Sequence, residues 1–123
     1  MDFSLTDEQR EIQALAREFA QAEIDPNAAA WDREHRFPVA TVLAMGDLGL
    51  FGIPFPEEYG GGGADTVSYA IAIEELTRVD SSVAITVAAH SSLGTMPIFL
   101  FGNEDQKRAW LPDLASGKKL AAF

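Results

Sequence analysis

A chain of 123 residues and 13.3 kDa has room for one domain of ordinary size and not for two. Nine Lys and Arg against nineteen Asp and Glu give a formal charge of −10, which repels nucleic-acid phosphates and anionic headgroups, so no nucleic-acid partner is expected. The absence of cysteine excludes disulfides, thiolate nucleophiles and zinc-thiolate sites, and with only His35 and His90 an imidazole metal cluster would need carboxylate help.

The opening Met1 to Glu8 is acidic, with no cationic stretch leading into an apolar run. It reads as neither a secretory signal nor a transit peptide, and a cytoplasmic location is expected. Thr6-Asp7-Glu8-Gln9 fits a capping box that starts a helix. Ile12, Leu15, Ala16, Phe19 and Ala20 follow at helical spacing as its buried stripe, and Pro26 is expected to end it by pushing Asp25 out of helical geometry. Asn27 to Arg36 suggests a short second helix or a loose turn anchored by Trp31. Val39, Val42, Leu43 and Leu48 predict a third helix, closed where Gly49 can adopt left-handed backbone.

Phe51 to Asp65 carries two prolines and five glycines and reads as a loop with buried aromatic anchors. A phosphate cradle of glycine amides is the sharper alternative, disfavoured because no Lys and no Gly-Lys-Ser/Thr element follows. Thr66 to Val79 resumes helical spacing, with Tyr69, Ala70, Ile73, Leu76 and Thr77 on the predicted buried face. Asp80 can cap the next helix. From Ser81 to Asn103 no residue is charged, yet His90, Ser91, Ser92, Gly94 and Pro97 interrupt the run, which predicts a helix buried in protein on most sides and no membrane span. Asn103 to Gln106 is another cap, for a helix whose expected buried side is Ala109, Trp110 and Leu114. No strand pattern occurs before Lys119 to Phe123, and the apolar ending there suggests a fragment of something longer. The expected fold class is all-α, an orthogonal bundle of about five to six helices.

The usual catalytic constellations are weak. His90 beside Ser91 and Ser92 lacks the geometry of a triad, and a core histidine is the favoured reading. Glu57-Glu58 and Glu74-Glu75 are adjacent pairs whose side chains diverge, so they read as solvated faces. What stands out is the slenderness of the uncharged helix across Ala84, Ile85, Thr86, Val87, Ala88 and Ala89. Such a helix either lets a neighbour approach closely or lines a narrow apolar slot for a ligand tail.

Several stretches together resemble the N-terminal α-helical domain of the acyl-CoA dehydrogenases. They are Phe3 to Gln9 (FSLTDEQ), Gly49 to Gly61 (GLFGIPFPEEYGG), Glu74 to Ser82 (EELTRVDSS), Ala89 to Gly94 (AHSSLG) with Pro97-Ile98, and Gly102 to Lys107 (GNEDQK) with Leu111-Pro112. They stand in the family's order and spacing over the whole chain. The resemblance implies residues 1–117 as the helical domain and 118–123 as the start of a middle β-domain, in an FAD flavoenzyme that dehydrogenates acyl-CoA thioesters at the α,β position. The implied base lies in a C-terminal domain, so no residue of this chain is assigned a catalytic role, and the chain alone is expected to be inactive. By the same resemblance Ile85, Thr86, Ala89 and Leu93 line the acyl slot, with a methyl at Ala89 where some relatives carry a large or acidic side chain. Phe123 falls at the start of the flavin-binding segment. Implied partners are an acyl-CoA substrate, an electron-transfer flavoprotein or similar acceptor, and further copies in a homo-tetramer. An acyl-CoA oxidase, a nitroalkane oxidase or a flavin monooxygenase on the same scaffold is the alternative, as is a non-catalytic, self-associating helical fragment.

Overall fold

In the computed structural model, which describes residues 1–123, the first helix opens as its sequence requires. The Thr6 hydroxyl accepts from the Gln9 amide at 3.2 Å while the Gln9 side chain accepts from the Thr6 amide at 3.0 Å. Helix α1 (Asp7–Phe19) then runs into a π-helical segment, Ala20–Ile24, and without interruption into α2 (Asp25–Glu34). Pro26 therefore does not end the helix, and Asp25 keeps helical dihedrals at φ −52°, ψ −46°. The reason is the wider turn before it: the Asp25 amide bonds five residues back, to the Ala20 carbonyl. A proline placed just after such a turn has little i−4 contact to break. Helix α2 closes instead at His35, in left-handed backbone at φ 51°.

Helix α3 (Val39–Asp47) ends ahead of Gly49, whose φ of 81° is the conformation expected there. A loop containing one 3-10 turn, Glu57–Tyr59, leads to α4 (Thr66–Thr77), capped by Asp65. Helix α5 (Ser81–Ala89), a second π-helical segment (His90–Thr95) and α6 (Met96–Phe101) form one rod, and α7 (Glu104–Ala115) follows behind the Asn103 capping box. Pro97 repeats the device at Pro26, with the Met96 amide bonding five residues back to Ser91. The architecture is thus all-α, five continuous rods without a strand. Residues 118–123 are neither helix nor strand.

The core joins Ala16, Ala20 and Ile24 of the first rod to Met45, Leu50, Phe51, Ala72, Leu76, Val83 and Val87, all at most 4% exposed. Each full-sized apolar side chain so buried contributes about 1.5–3 kcal/mol. Alanines at 16, 72 and 84 let α1, α4 and α5 approach closely, so part of the slenderness of α5 is ordinary helix packing.

Four expectations about faces need correction. Helix α4 buries Ser68, Ile71, Ala72, Glu75 and Leu76, while Ala70 and Thr77 are exposed, because it lies between α1 and α5 and presents more than one stripe to its neighbours. Helix α7 buries Leu111, Leu114 and Ala115, leaving Ala109 and Trp110 outside, with the Lys119 ammonium 5.6 Å from the Trp110 ring. The Ser81–Phe101 rod is not buried on most sides. Its 21 residues are long and apolar enough to cross a membrane by length and composition, and only 33% of its most apolar stretch lies inside the protein. Glu75, expected to be solvated, is 3% exposed and bound by both arms of Arg17 at 2.7 and 3.0 Å. That hydrogen-bonded guanidinium holds the carboxyl below its usual range against the effect of burial.

Candidate functional site

The α5 rod has two unlike sides. Asp80 anchors its start, its carboxylate accepting from the amides of Ser82 at 2.8 Å and Val83 at 3.2 Å. Val83, Ala84, Val87, His90, Ser91 and Thr95 face the core. Ile85 and Leu93 stand on the open side, 61% and 53% exposed, with Ala89 half-buried between them. The Thr86 hydroxyl donates to the Ser82 carbonyl at 3.0 Å, within its own helix. The Ile85–Ala89–Leu93 strip is therefore apolar, small in the middle and uncovered at both ends.

These four residues do not share one enclosed cavity. Ile85 lines a shallow cleft of about 400 Å³ between α4 and α5, with Ile73, Thr77, Ser82 and Ala88. Thr86 turns to a different one, of about 590 Å³, beside Trp31, Arg36, Phe37 and Val83. The structure thus places three of the four on one strip and sets Thr86 at its edge. Phe123 lies elsewhere, at the end of the chain and fully exposed.

His90 sits on the core side of the same rod. Its Nδ1 accepts from the Ala121 amide at 2.9 Å, so Nε2 carries the proton and donates to the Leu114 carbonyl at 2.9 Å. The Thr95 hydroxyl donates to the His90 carbonyl at 2.9 Å, and Phe51 meets the imidazole edge-on at 4.7 Å between ring centres. Burial lowers the His90 pKa from its ordinary value, opposed by the Leu114 bond. Both ring nitrogens are committed to backbone groups. The Ser92 hydroxyl donates to the Ala88 carbonyl at 2.6 Å, and the buried Ser91 hydroxyl has no partner. Histidine and serines therefore form no nucleophile–base pair, in line with the core reading.

The glycine loop is equally committed. The amides of Gly62, Gly63 and Ala64 donate to the carbonyls of Gly52, Phe55 and Ile53 at 2.8–2.9 Å, and that of Gly61 to Pro56 at 3.1 Å. Amides turned inward in this way are not available to an anion. Sequence reasoning missed the contact between His90 and Ala121, 31 residues apart; its only local sign is a histidine in an otherwise apolar, uncharged helix.

A family pattern described as "Acyl-CoA dehydrogenase, N-terminal domain" matches residues 6–118. The chain is 48% identical over 123 residues to the probable acyl-CoA dehydrogenase YngJ of Bacillus subtilis (strain 168), covering all of this chain and 32% of that protein. Its fold is similar to a chain in a structure of the electron transferring flavoprotein of Acidaminococcus fermentans, with a TM-score of 0.95 and 42% identity, covering 98% of this chain and 32% of the other. It is also similar to an acyl-CoA dehydrogenase complexed with FAD from Bacillus anthracis, with a TM-score of 0.89 and 41% identity, covering 96% of this chain and 20% of that one. The chain spans about a third of the length of the curated relatives it matches.

Proposed function

Because this chain belongs to the acyl-CoA dehydrogenase family, as its N-terminal domain, we propose that it supplies the acyl-slot wall of an FAD-dependent acyl-CoA dehydrogenase. Residues 1–117 are the helical domain and 118–123 lead into a middle β-domain. Beyond family membership, the observation that carries this reading is the uncovered Ile85–Ala89–Leu93 strip with a methyl at its centre. An apolar strip on an otherwise strongly acidic protein is a surface that water leaves readily, and a fatty acyl tail is a chemically matched occupant. Thr86 borders the strip with its hydroxyl satisfied within its own helix.

Phe123 is the residue this chain offers to the flavin. Its ring has nothing of this chain over it, and an exposed aromatic face suits stacking or edge contact with a planar cofactor. The chemistry that FAD supplies when bound is acceptance of the hydride leaving the β-carbon. The chain's own part is to hold the tail and exclude water beside it, which fixes where along the acyl chain the reaction falls. The α-proton passes to a carboxylate outside this chain, and the electrons pass on to an electron-transfer flavoprotein or a similar acceptor. A cytoplasmic homo-tetramer completes the proposal.

Replacing Ala89 with Phe tests it in the whole enzyme. Bulk at the centre of the strip should cost long acyl-CoA substrates roughly 1–3 kcal/mol of transition-state stabilisation while butyryl-CoA is little affected. Measured as kcat/KM across acyl lengths, a uniform loss that tracks a lower Tm would instead make Ala89 a packing residue.

A further inference from the structure

The π-helical segment His90–Thr95 holds something that the acyl-slot reading does not use. Two of its residues receive the last part of the chain. The His90 Nδ1 accepts from the Ala121 amide at 2.9 Å. Gly94 lies directly beneath the same residue, and a Cβ there would stand 2.8 Å from the Ala121 carbonyl carbon, closer than any side chain tolerates. The two contacts are independent: one is an acceptor in a fixed tautomer, the other an absence of side chain. That tautomer is itself set from a third element, since Nε2–H donates to the Leu114 carbonyl near the end of α7.

We infer that His90 is a positioning residue: its imidazole, with Gly94, docks residues 119–123 on the π-helical segment and so fixes where the chain leaves this domain relative to the acyl strip. Resting on the proposed function, the flavin-facing Phe123, two residues beyond Ala121, is set in place by a group on the helix whose opposite side lines the slot. One imidazole thereby ties the flavin end of the site to its acyl end. The π-helical winding matters here, because the wide turn holds His90 and Gly94 toward the tail while Thr95 bonds back to the His90 carbonyl at 2.9 Å.

Two amide substitutions separate the two ring nitrogens. His90→Asn keeps an acceptor near the Nδ1 position for the Ala121 amide, whereas His90→Gln reaches toward the Nε2 position and leaves Ala121 unpaired. Hydrogen exchange at the Ala121 amide, normalised to the slowest core amides so that global stability drops out, is the first readout. In the unmodified chain Ala121 should exchange at least about tenfold slower than an unstructured amide, and His90→Asn should keep most of that protection. His90→Gln and Gly94→Ala should lose it. Free exchange at Ala121 in the unmodified chain, or equal loss in the Asn and Gln variants, would overturn the dock without touching the enzyme reading. The second readout is retention of FAD by the whole protein through gel filtration, expected to fall in the Gln variant and to be rescued in the Asn variant. A protected Ala121 with FAD retention unchanged in every variant would overturn the positioning role, leaving a clasp of the tail alone.

Discussion

At the scale of single residues, charge and packing are set by partners far away in sequence. Glu75 looks like one of two adjacent solvated carboxylates, yet it is buried because Arg17, 58 residues earlier, reaches it with a bidentate bond and Arg78 adds a second contact at 3.3 Å. Arg17 is itself 44% exposed, so the pair is worth less than a fully buried one. Arg17→Ala leaves the buried Glu75 with Arg78 as its remaining cation, and should destabilise the fold by about 1–3 kcal/mol in urea denaturation. Adding Glu75→Gln should recover part of that loss, as a coupled pair requires and independent sites do not.

His90 makes a prediction of opposite character, on pH. Its pKa lies below the ordinary value of 6.5 in the folded protein because burial disfavours the imidazolium. The unfolded chain therefore takes up this proton first. The stability contributed by the neutral ring is fully present above about pH 6.5 and is lost as the pH falls through that value toward the lower folded pKa. Between about pH 7.5 and about pH 5.5 the Tm should fall further in the unmodified protein than in His90→Asn, which has no proton to take up there. Equal falls would mean that His90 is not held neutral in the fold.

At the scale of elements, local signals were legible and long-range ones were not. The caps at Thr6, Asp80 and Asn103 were readable because each bond closes within three residues; the cap at Asp65 was not read from the sequence, where that residue stood only as the end of the glycine loop. The stop at Gly49 was readable for the same reason. The prolines misled at Pro26 and conveyed little at Pro97, since each sits just after a π-helical turn, and that winding leaves no mark in hydrophobic spacing. Buried faces failed for α4 and α7 because helices packed on two sides do not advertise one stripe. The strip proposed to line the acyl slot was pointed to by resemblance and by slenderness, but its openness depends on what covers α5, which no spacing encodes.

The glycine loop gives the element-scale test. Gly61 packs against the backbone of Phe55, so a methyl there has nowhere to go. Gly61→Ala should lower stability by about 1–3 kcal/mol through overpacking. Phosphate titrated into the unmodified chain should leave the Gly61–Gly63 amide resonances in place, because those amides already donate within the loop. A saturable shift would restore the cradle.

For the whole molecule, the apolar rod and the acidic remainder account for each other. The formal charge of −10 favours hydration of the surface, and four of the exposed large apolar residues, Ile85, Leu93, Leu100 and Phe101, lie along one rod. Of the rod's polar side chains, His90, Ser91 and Thr95 lie on its core side, and the hydroxyls of Thr86 and Ser92 bond back to carbonyls of their own helix. A face divided in this way suits the tail-binding wall proposed for this rod. The most direct measurement is photolabelling of the whole enzyme with an acyl-CoA carrying a diazirine near the end of its acyl chain, followed by peptide mapping. Label is expected within Ile85 to Leu93, competed away by unlabelled substrate. Competed label confined to peptides outside the α5 rod would contradict the proposed wall.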